Sequence, residues 1–379
     1  MQKFRLLATA AAGIEGLTGR ELRNLGYSVR VENGRARFSG SLDDIIKTNL
    51  WLRTADRVKI IVGEFNALTF DQLFQQTYDL AWDHFLPMNA NFPVEGRSVR
   101  SQLHSVPDVQ AVVKKAIVKK ISHVYHRFGR LPESGPRYPL EVSVRKNHVM
   151  LTLDTTGPSL FKRGYKTVKG IAPLKENMAA ALIELTDWHP DSMPLVDPMC
   201  GSGTIPIEAA LIGRKIAPGL HRHFTFEKWE WVPDSRVEQF RNQARAQINH
   251  SGQLKIYASD IDPKMVNAVK VNAAQAGVLD DLHYRQLAVQ DFKTRLTDGV
   301  VVSNPPYGHR MSDPRIVHQL YRQLGKVFRP LTSWSKYFLT SDLAFERYYG
   351  KRATKRRKLY NGSLRTDYFQ FWSTRNYKG

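Results

Sequence analysis

Along this chain, apolar residues recur either at every second position, which predicts strands, or at every third and fourth, which predicts helices. Phe4–Ala10 reads as a strand, and residues 13–25 as a helix with Ile14, Leu17, Leu22 and Leu25, ended by Gly26. Residues 29–39 fold back around Asn33-Gly34, a dipeptide suited to the positive φ angles of a tight hairpin, and 41–49 supply a second helix. That order fits a ferredoxin-like half-domain. Further strands are expected at 58–62 and 98–103, with a helix at 70–79 between them. The clearest helix of this half spans 107–128, with Val109, Val112, Val113, Ala116, Ile117, Ile121 and Val124 on one face. Lys114, Lys115, Lys119 and Lys120 lie mostly off that face and serve either a solvated surface or an RNA contact. Residues 140–144 and 148–153 alternate as a hairpin.

The second half has short buried strands that run into loops of distinctive chemistry. Residues 194–196 lead into Asp197-Pro198-Met199-Cys200-Gly201-Ser202-Gly203-Thr204, followed by a helix over Thr204–Gly213. Gly201 and Gly203 allow backbone conformations and close approaches closed to other residues. A nicotinamide loop would need a third glycine, and a phosphate loop a Gly-Lys-Ser/Thr ending; both are missing. A second strand, 254–259, runs into Asp260, whose carboxylate could accept two hydrogen bonds from a ribose diol. Asp262 reads as the N-cap of a helix, with Pro263 at its first position and Gly277 closing it. A third strand precedes Val289-Gln290-Asp291-Phe292. Finally, Gly299–Ser303 ends at Asn304-Pro305-Pro306-Tyr307-Gly308, which on residues alone is also compatible with an ordinary Pro-Pro turn.

Composition narrows the partner. The 379 residues suit two or three domains, and 42% are hydrophobic, enough for sizeable cores. Lys plus Arg number 56 against 35 acids, a net charge of +21 with pI near 10.0, so a polyanion is the expected partner. The single cysteine, Cys200, excludes an intrachain disulfide and a cysteine-rich zinc site, and it reads as a packing residue. His221 and His223 lack further ligands at suitable spacing, so no metal is expected. No apolar run approaches the ~18 residues of a membrane span, and the start is too short in apolar residues for a signal peptide. A cytoplasmic protein is expected.

The pentapeptide at 304–308 resembles the signature of amino-group methyltransferases, and Asp197 to Thr204 resembles motif I of class I S-adenosylmethionine (SAM)-dependent methyltransferases. An exocyclic amine is a weak nucleophile because its lone pair is delocalised into the ring, so it must be held. The Asn304 amide oxygen and the Pro305 carbonyl could each accept one of its hydrogens, Pro305 and Pro306 fix φ there, and Tyr307 could stack a flipped base. No thiol nucleophile is needed for that reaction. The stretch 49–154 resembles a THUMP RNA-binding domain, and 157–170, with Phe161-Lys162-Arg163-Gly164-Tyr165, looks like a linker.

Together the chain resembles the THUMP-containing RlmL/YpsC group of 23S rRNA guanine-N2 methyltransferases, also labelled N6-adenine-specific DNA methylases. The resemblance implies an α/β fold, a Rossmann-like class I methyltransferase domain (171–379) preceded by an α+β region. That region would comprise a ferredoxin-like subdomain (1–48), a THUMP domain (49–156) and the linker. It implies SAM as cofactor, held by Asp197, Pro198, Cys200, Gly201, Ser202, Gly203 and Thr204, with Asp260 on the ribose and Asp291 at the adenine. Lys175 and Glu176, after Ala172-Pro173-Leu174, would stand at the methionine end, although residues 172–183 also read as a plain amphipathic helix start. It further implies RNA as partner, 23S rRNA or a large-subunit precursor. An enterobacterial member carries a second methyltransferase domain; this chain ends at Gly379 after one, so that second activity is not expected here. Residues 214–253 form an insertion that either holds RNA or packs on the domain edge. Residues 351–360 carry six cations and are expected to form a loop on the catalytic face, with Lys355, Arg356, Arg357 and Lys358 on RNA phosphates. The alternatives are an adenine-N6 DNA methyltransferase and a non-catalytic RNA-binding ribosome-assembly factor.

Overall fold

Each half of the chain builds one seven-stranded sheet in the computed structural model, which describes residues 2–168, 174–307, 314–362 and 364–374. The amino-terminal half contributes strands β1 (Phe4–Ala10), β2 (Arg30–Glu32), β3 (Arg35–Gly40), β4 (Ala55–Asn66), β5 (Val94–Val99), β6 (Leu140–Arg145) and β7 (His148–Asp154). Their order is β2-β3-β1-β4-β7-β6-β5. Helices α1 (Glu15–Asn24), α2 (Leu42–Trp51), α3 (Phe70–Tyr78) and α4 (Val106–Val124) each feed one core, through Leu22, Ile45, Leu73 and Val113 among others. Strand β4 is longer than its apolar run because it pairs with β1 on one side and β7 on the other, with a register shift between Ile61 and Gly63. One sheet therefore crosses the proposed 48/49 boundary, which falls inside α2.

Two expectations shift here. The strand expected at 98–103 lies at Val94–Val99, an edge strand that alternates half-buried and exposed residues and so lacks an apolar signal. Arg100, at φ +50, ends it. The long helix stops at Val124, and His126 turns away at φ +49.

The second sheet holds β8 (Leu195–Asp197), β9 (Ile256–Asp260), β10 (Leu282–Gln286), β11 (Gly299–Ser303), β12 (Trp334–Thr340), β13 (Lys355–Asn361) and β14 (Leu364–Phe371). Their order is β10-β9-β8-β11-β12-β14-β13; the first five are parallel and β14 runs against both its neighbours. The helices are α5 (Glu176–Glu184), α6 (Thr204–Gly213), α7 (Asp234–Ala246), α8 (Pro263–Gln275), α9 (Pro314–Phe328) and α10 (Phe345–Tyr349). Fully buried β11 shows the layering: Val300 and Val302 join the core with α5, α6 and α8, while Val301 joins the core with α9 and α10. This is a doubly wound α/β sheet, whose ligands bind at the carboxyl ends of the strands.

Local chemistry fixes the helix that follows β9. The Asp262 carboxylate accepts the Lys264 N–H at 2.8 Å, and Pro263 occupies the first turn. Replacing Asp262 with Ala should cost about 1 kcal/mol in urea unfolding of the ligand-free protein. An unchanged midpoint would mean the cap contributes nothing.

The insertion at 214–253 packs against the amino-terminal module. Phe224, Phe226, Trp229 and Val232 belong to that module's core, and Trp229 stacks on Tyr138 at 5.0 Å while donating to the Arg137 carbonyl. Arg236 on α7 pairs with Asp43 on α2. Gly219 donates to the Leu50 carbonyl, where an added Cβ would meet the Asn49 oxygen at 2.7 Å.

The expected basic loop is instead β13, an edge strand. Lys355 pairs with Gln370, itself opposite Tyr337 inside β12, and Lys358 pairs with Asp367, opposite Thr340 at the end of β12, so the cations climb the side of the sheet from mid-strand to its carboxyl end. Alternation accounts for this: Leu359 is fully buried, whereas Lys355, Arg356 and Lys358 are exposed. Arg356 is paired with Asp367. Among the described residues no helix is long and apolar enough to cross a membrane.

Candidate active site

The glycine loop and two acids interlock at the ends of β8 and β9. Gly201 and Gly203 take φ +52 and +87, values that favour glycine, and Gly203 is the N-cap of α6. Gly201 N–H donates to Asp260 Oδ2 at 2.9 Å, and Asp262 N–H donates to Asp260 Oδ1 at 3.0 Å. Asp260 thus clamps the loop onto β9, and each of its oxygens keeps acceptor capacity. Asp197 is buried, accepting from Ser303 Oγ at 2.7 Å and Met199 N–H at 3.2 Å. Burial is the main cause that pushes its pKa up to about 7, with the Asp260 charge adding to it. Cys200 is buried too, which drives its thiol well above the ordinary range, as a packing residue requires.

The raised pKa of Asp197 makes folding stability depend on pH. Between the ordinary value of 3.8 and about 7, the folded protein holds a proton that the unfolded chain releases. Stability from this group is therefore lost as pH rises through that window. The isosteric Asp197→Asn should remove that slope, so urea unfolding from about pH 4 to about pH 8 should increasingly favour the variant over the wild type. Parallel profiles would contradict the burial argument.

A cavity of about 900 Å³ opens over these strand ends. Asp197, Pro198, Cys200, Gly201, Ser202, Thr204, Asp260, Asn304 and Pro306 line it, so residues distant in sequence converge on one space. Gly203 lies just behind, where an added Cβ would meet Val269 at 3.2 Å and Ile207 at 3.3 Å. Three acids and bases of the sequence reading stand elsewhere. Asp291 ends a short 3-10 turn, Val289–Asp291, and is exposed; the wall there is made by Leu287, Ala288, Val289 and Gln290. Lys175 sits 4.8 Å over the Phe161 ring, and Glu176 is buried at the start of α5, where burial raises its pKa. Leu174 is the residue of that segment that reaches the wall; Ala172 and Pro173 lie outside the described residues. Ile316, Gln319, Leu320 and Gln323 of α9 form another wall, and sequence reading missed them. A residue spacing of three and four after the Asn-Pro-Pro-Tyr motif was the available signal.

At the end of β11, Asn304 carries the sharpest local feature. Its Oδ1 is buried and has no hydrogen-bond partner among the described residues. A buried acceptor left unpaired costs free energy, so its presence beside a cavity marks a place for a donor. Pro305 is buried behind it, while Pro306 reaches the cavity, and the Pro306 carbonyl accepts from Tyr321 Oη at 3.4 Å. Tyr307 is only 2% exposed and stands outside the lining, so the expected stacking face is covered here. Gly308 lies outside the described residues. His223 bonds Glu227, and no group of three His, Cys, Asp or Glu side chains among the described residues could hold a metal.

What the fold and cavity define is a methyltransferase domain behind an α+β amino-terminal module. Residues 163–370 match the RMKL-like methyltransferase domain, 5–59 the RlmL ferredoxin-like domain and 67–154 the THUMP domain. The chain belongs to this RMKL-like family of SAM-dependent methyltransferases. It is 49% identical to the "Putative RNA methyltransferase YpsC" of Bacillus subtilis (strain 168), over 98% of this chain and 97% of that protein. Ribosomal RNA large subunit methyltransferase K/L of Shewanella amazonensis is 31% identical over 95% of this chain, which spans 52% of that longer protein. The crystal structure of "SMU.472, a putative methyltransferase complexed with SAH" superposes with a TM-score of 0.95 at 51% identity, covering 99% of both chains.

Proposed function

We propose that this chain transfers a methyl group from SAM to the exocyclic N2 amine of a guanine in 23S rRNA. The observation that carries the reading is the buried Asn304 Oδ1, without a partner among the described residues, on the wall of the cavity that also holds Asp260 and the glycine loop. The residues present suit the cofactor: Asp260 retains acceptor capacity for a diol, the Gly201 and Gly203 backbone permits close approach, and Leu287 to Gln290 offer a partly apolar wall to an adenine. SAM supplies an electrophilic methyl group on a sulfonium sulfur. Asn304 accepts one hydrogen bond from the amine, orienting the nitrogen lone pair, and the rigid Pro305-Pro306 backbone keeps that acceptor in place. Tyr321, bonded to Thr340 at 2.9 Å and to the Pro306 carbonyl, braces the turn from behind. Lys355, Arg356 and Lys358 give phosphates a basic track up the sheet edge.

Support for RNA as the polymer comes from the THUMP match, the net charge of +21 and the names of the relatives. The choice of guanine N2 rests on the family resemblance. Incubating the purified protein with labelled SAM and either undermodified 23S rRNA or duplex DNA, then analysing nucleosides by mass spectrometry, tests it. N2-methylguanosine in the RNA is the expected product. N6-methyladenine in DNA, or no transfer to either polymer, would refute the proposal.

A further inference from the structure

A second cavity, of about 580 Å³, lies on the other side of Leu287, a residue that lines both spaces. Its origin is topological. Strand β10 connects to β11 through residues 287–298, which contain only the 3-10 turn Val289–Asp291 and no α-helix. Crossovers between parallel strands are usually helical and cover the sheet. Here Ile256, Ala258 and Leu282 are buried with α8 on one face, while among the described residues no helix lies directly over the opposite face of β9 and β10, which meets the α9 core only at its border, through Tyr257 and Phe292. Tyr257 and His283, directly paired across the two strands, stack on that face with centroids 5.0 Å apart and planes 21° apart. Phe292 adds a third ring to the lining.

Charge surrounds this aromatic floor. Arg285, Lys293 and Arg295 line the cavity, all three are exposed, and none has an acidic partner within 4.0 Å among the described residues. Some exposed arginines elsewhere pair with carboxylates, as Arg236 does with Asp43 and Arg245 with Glu238, while others such as Arg127 and Arg130 stay unpaired among the described residues; what sets these three apart is that they surround one cavity. His283 is exposed and Tyr257 half-buried, and aromatic rings of this kind surrounded by cations are the chemistry of single-stranded nucleic-acid binding.

We propose that this cavity takes one nucleotide of a single-stranded RNA segment, its base on the Tyr257 and His283 stack and its phosphates against Arg285, Lys293 and Arg295. It rests on RNA being the substrate and adds a holding site beside the reaction cavity, for a nucleotide other than the one methylated. The strand is favoured over a free mononucleotide because three cations spread around one base suit phosphates on both sides of it.

The test uses the full chain and a short single-stranded RNA carrying 4-thiouridine. Photo-crosslinking should yield adducts in the peptides spanning 256–296, and fluorescence anisotropy should show the His283→Ala, Arg295→Glu double variant binding that RNA at least about ten-fold more weakly. His283→Phe, which keeps a stacking ring, should bind within about three-fold of the wild type. Arg295→Glu alone, on an exposed side chain, repeats the measurement if the double variant unfolds. Unchanged RNA affinity in these variants overturns the proposal, as does displacement of the RNA by AMP at equal affinity, which would assign the cavity to a free nucleotide. Methyl transfer to 23S rRNA is read separately, so a failure here with transfer intact removes this site and leaves the reaction standing.

Discussion

Asn304→Ala should lower methyl transfer by roughly 10²–10³-fold while SAM affinity stays within about two-fold of the wild type. The side chain ends β11, lines the cavity and presents a buried Oδ1 with no partner among the described residues. Removing it takes away an acceptor aimed at the reacting amine and leaves the glycine loop and Asp260 as they are. That split separates amine positioning from cofactor binding: kcat should fall, and the SAM dissociation constant by calorimetry should hold. A variant with full turnover, or one that loses SAM binding in the same proportion, would remove Asn304 from the assigned role.

The second large effect lies away from the chemistry. Arg163→Ala should cost about 3–5 kcal/mol of stability, because it strips the counter-charge from a buried acid. Arg163 is 4% exposed; its guanidinium lies 3.4 Å from Glu208 Oε1 and donates to the Leu160 and Arg53 carbonyls, both at 2.6 Å. Glu208 is fully buried on α6, with Tyr165 Oη at 3.0 Å and its own Oε2 without a partner among the described residues. Arg53 extends the network, donating to the Ile216 carbonyl at 2.6 Å. Adding Glu208→Gln to the Arg163→Ala background should recover part of the loss, since it removes the stranded charge. Urea unfolding of the three proteins measures this, and a loss below about 1 kcal/mol in the single variant would argue against a structural ion pair.

Features that one stretch of backbone dictates were legible in the sequence. Gly201 and Gly203 adopt positive φ, Asp262 caps α8 before Pro263, and Asn33-Gly34 turns the first hairpin, because each conformation admits few residue types. Features set by what lies across the fold were not. Asp291 has the right neighbours in sequence, yet the 3-10 turn at Val289–Asp291 directs the adjoining Gln290 to the cavity wall. Phe161 to Tyr165 read as a linker, although Arg163 and Tyr165 are held by Glu208, which lies over forty residues later. The edge strand β5 reads as displaced to 98–103, and β13 reads as a loop, for one reason: one face of each meets water, so polar residues leave little apolar signal.

The bracing of the 214–253 insertion bears on how a target would be chosen. Trp229 sits in the amino-terminal core, Arg236 grips α2, and Gly219 meets the backbone at Leu50 too closely for a side chain. An RNA seated on the amino-terminal module would therefore meet the catalytic cavity at a set span, as work meets a tool held in a jig. Bases would be sorted by how far they lie from the gripped feature in the folded RNA, with the letters around them secondary. Lengthening or shortening the helix between grip and target would then move the mark, and leave its neighbours in sequence untouched.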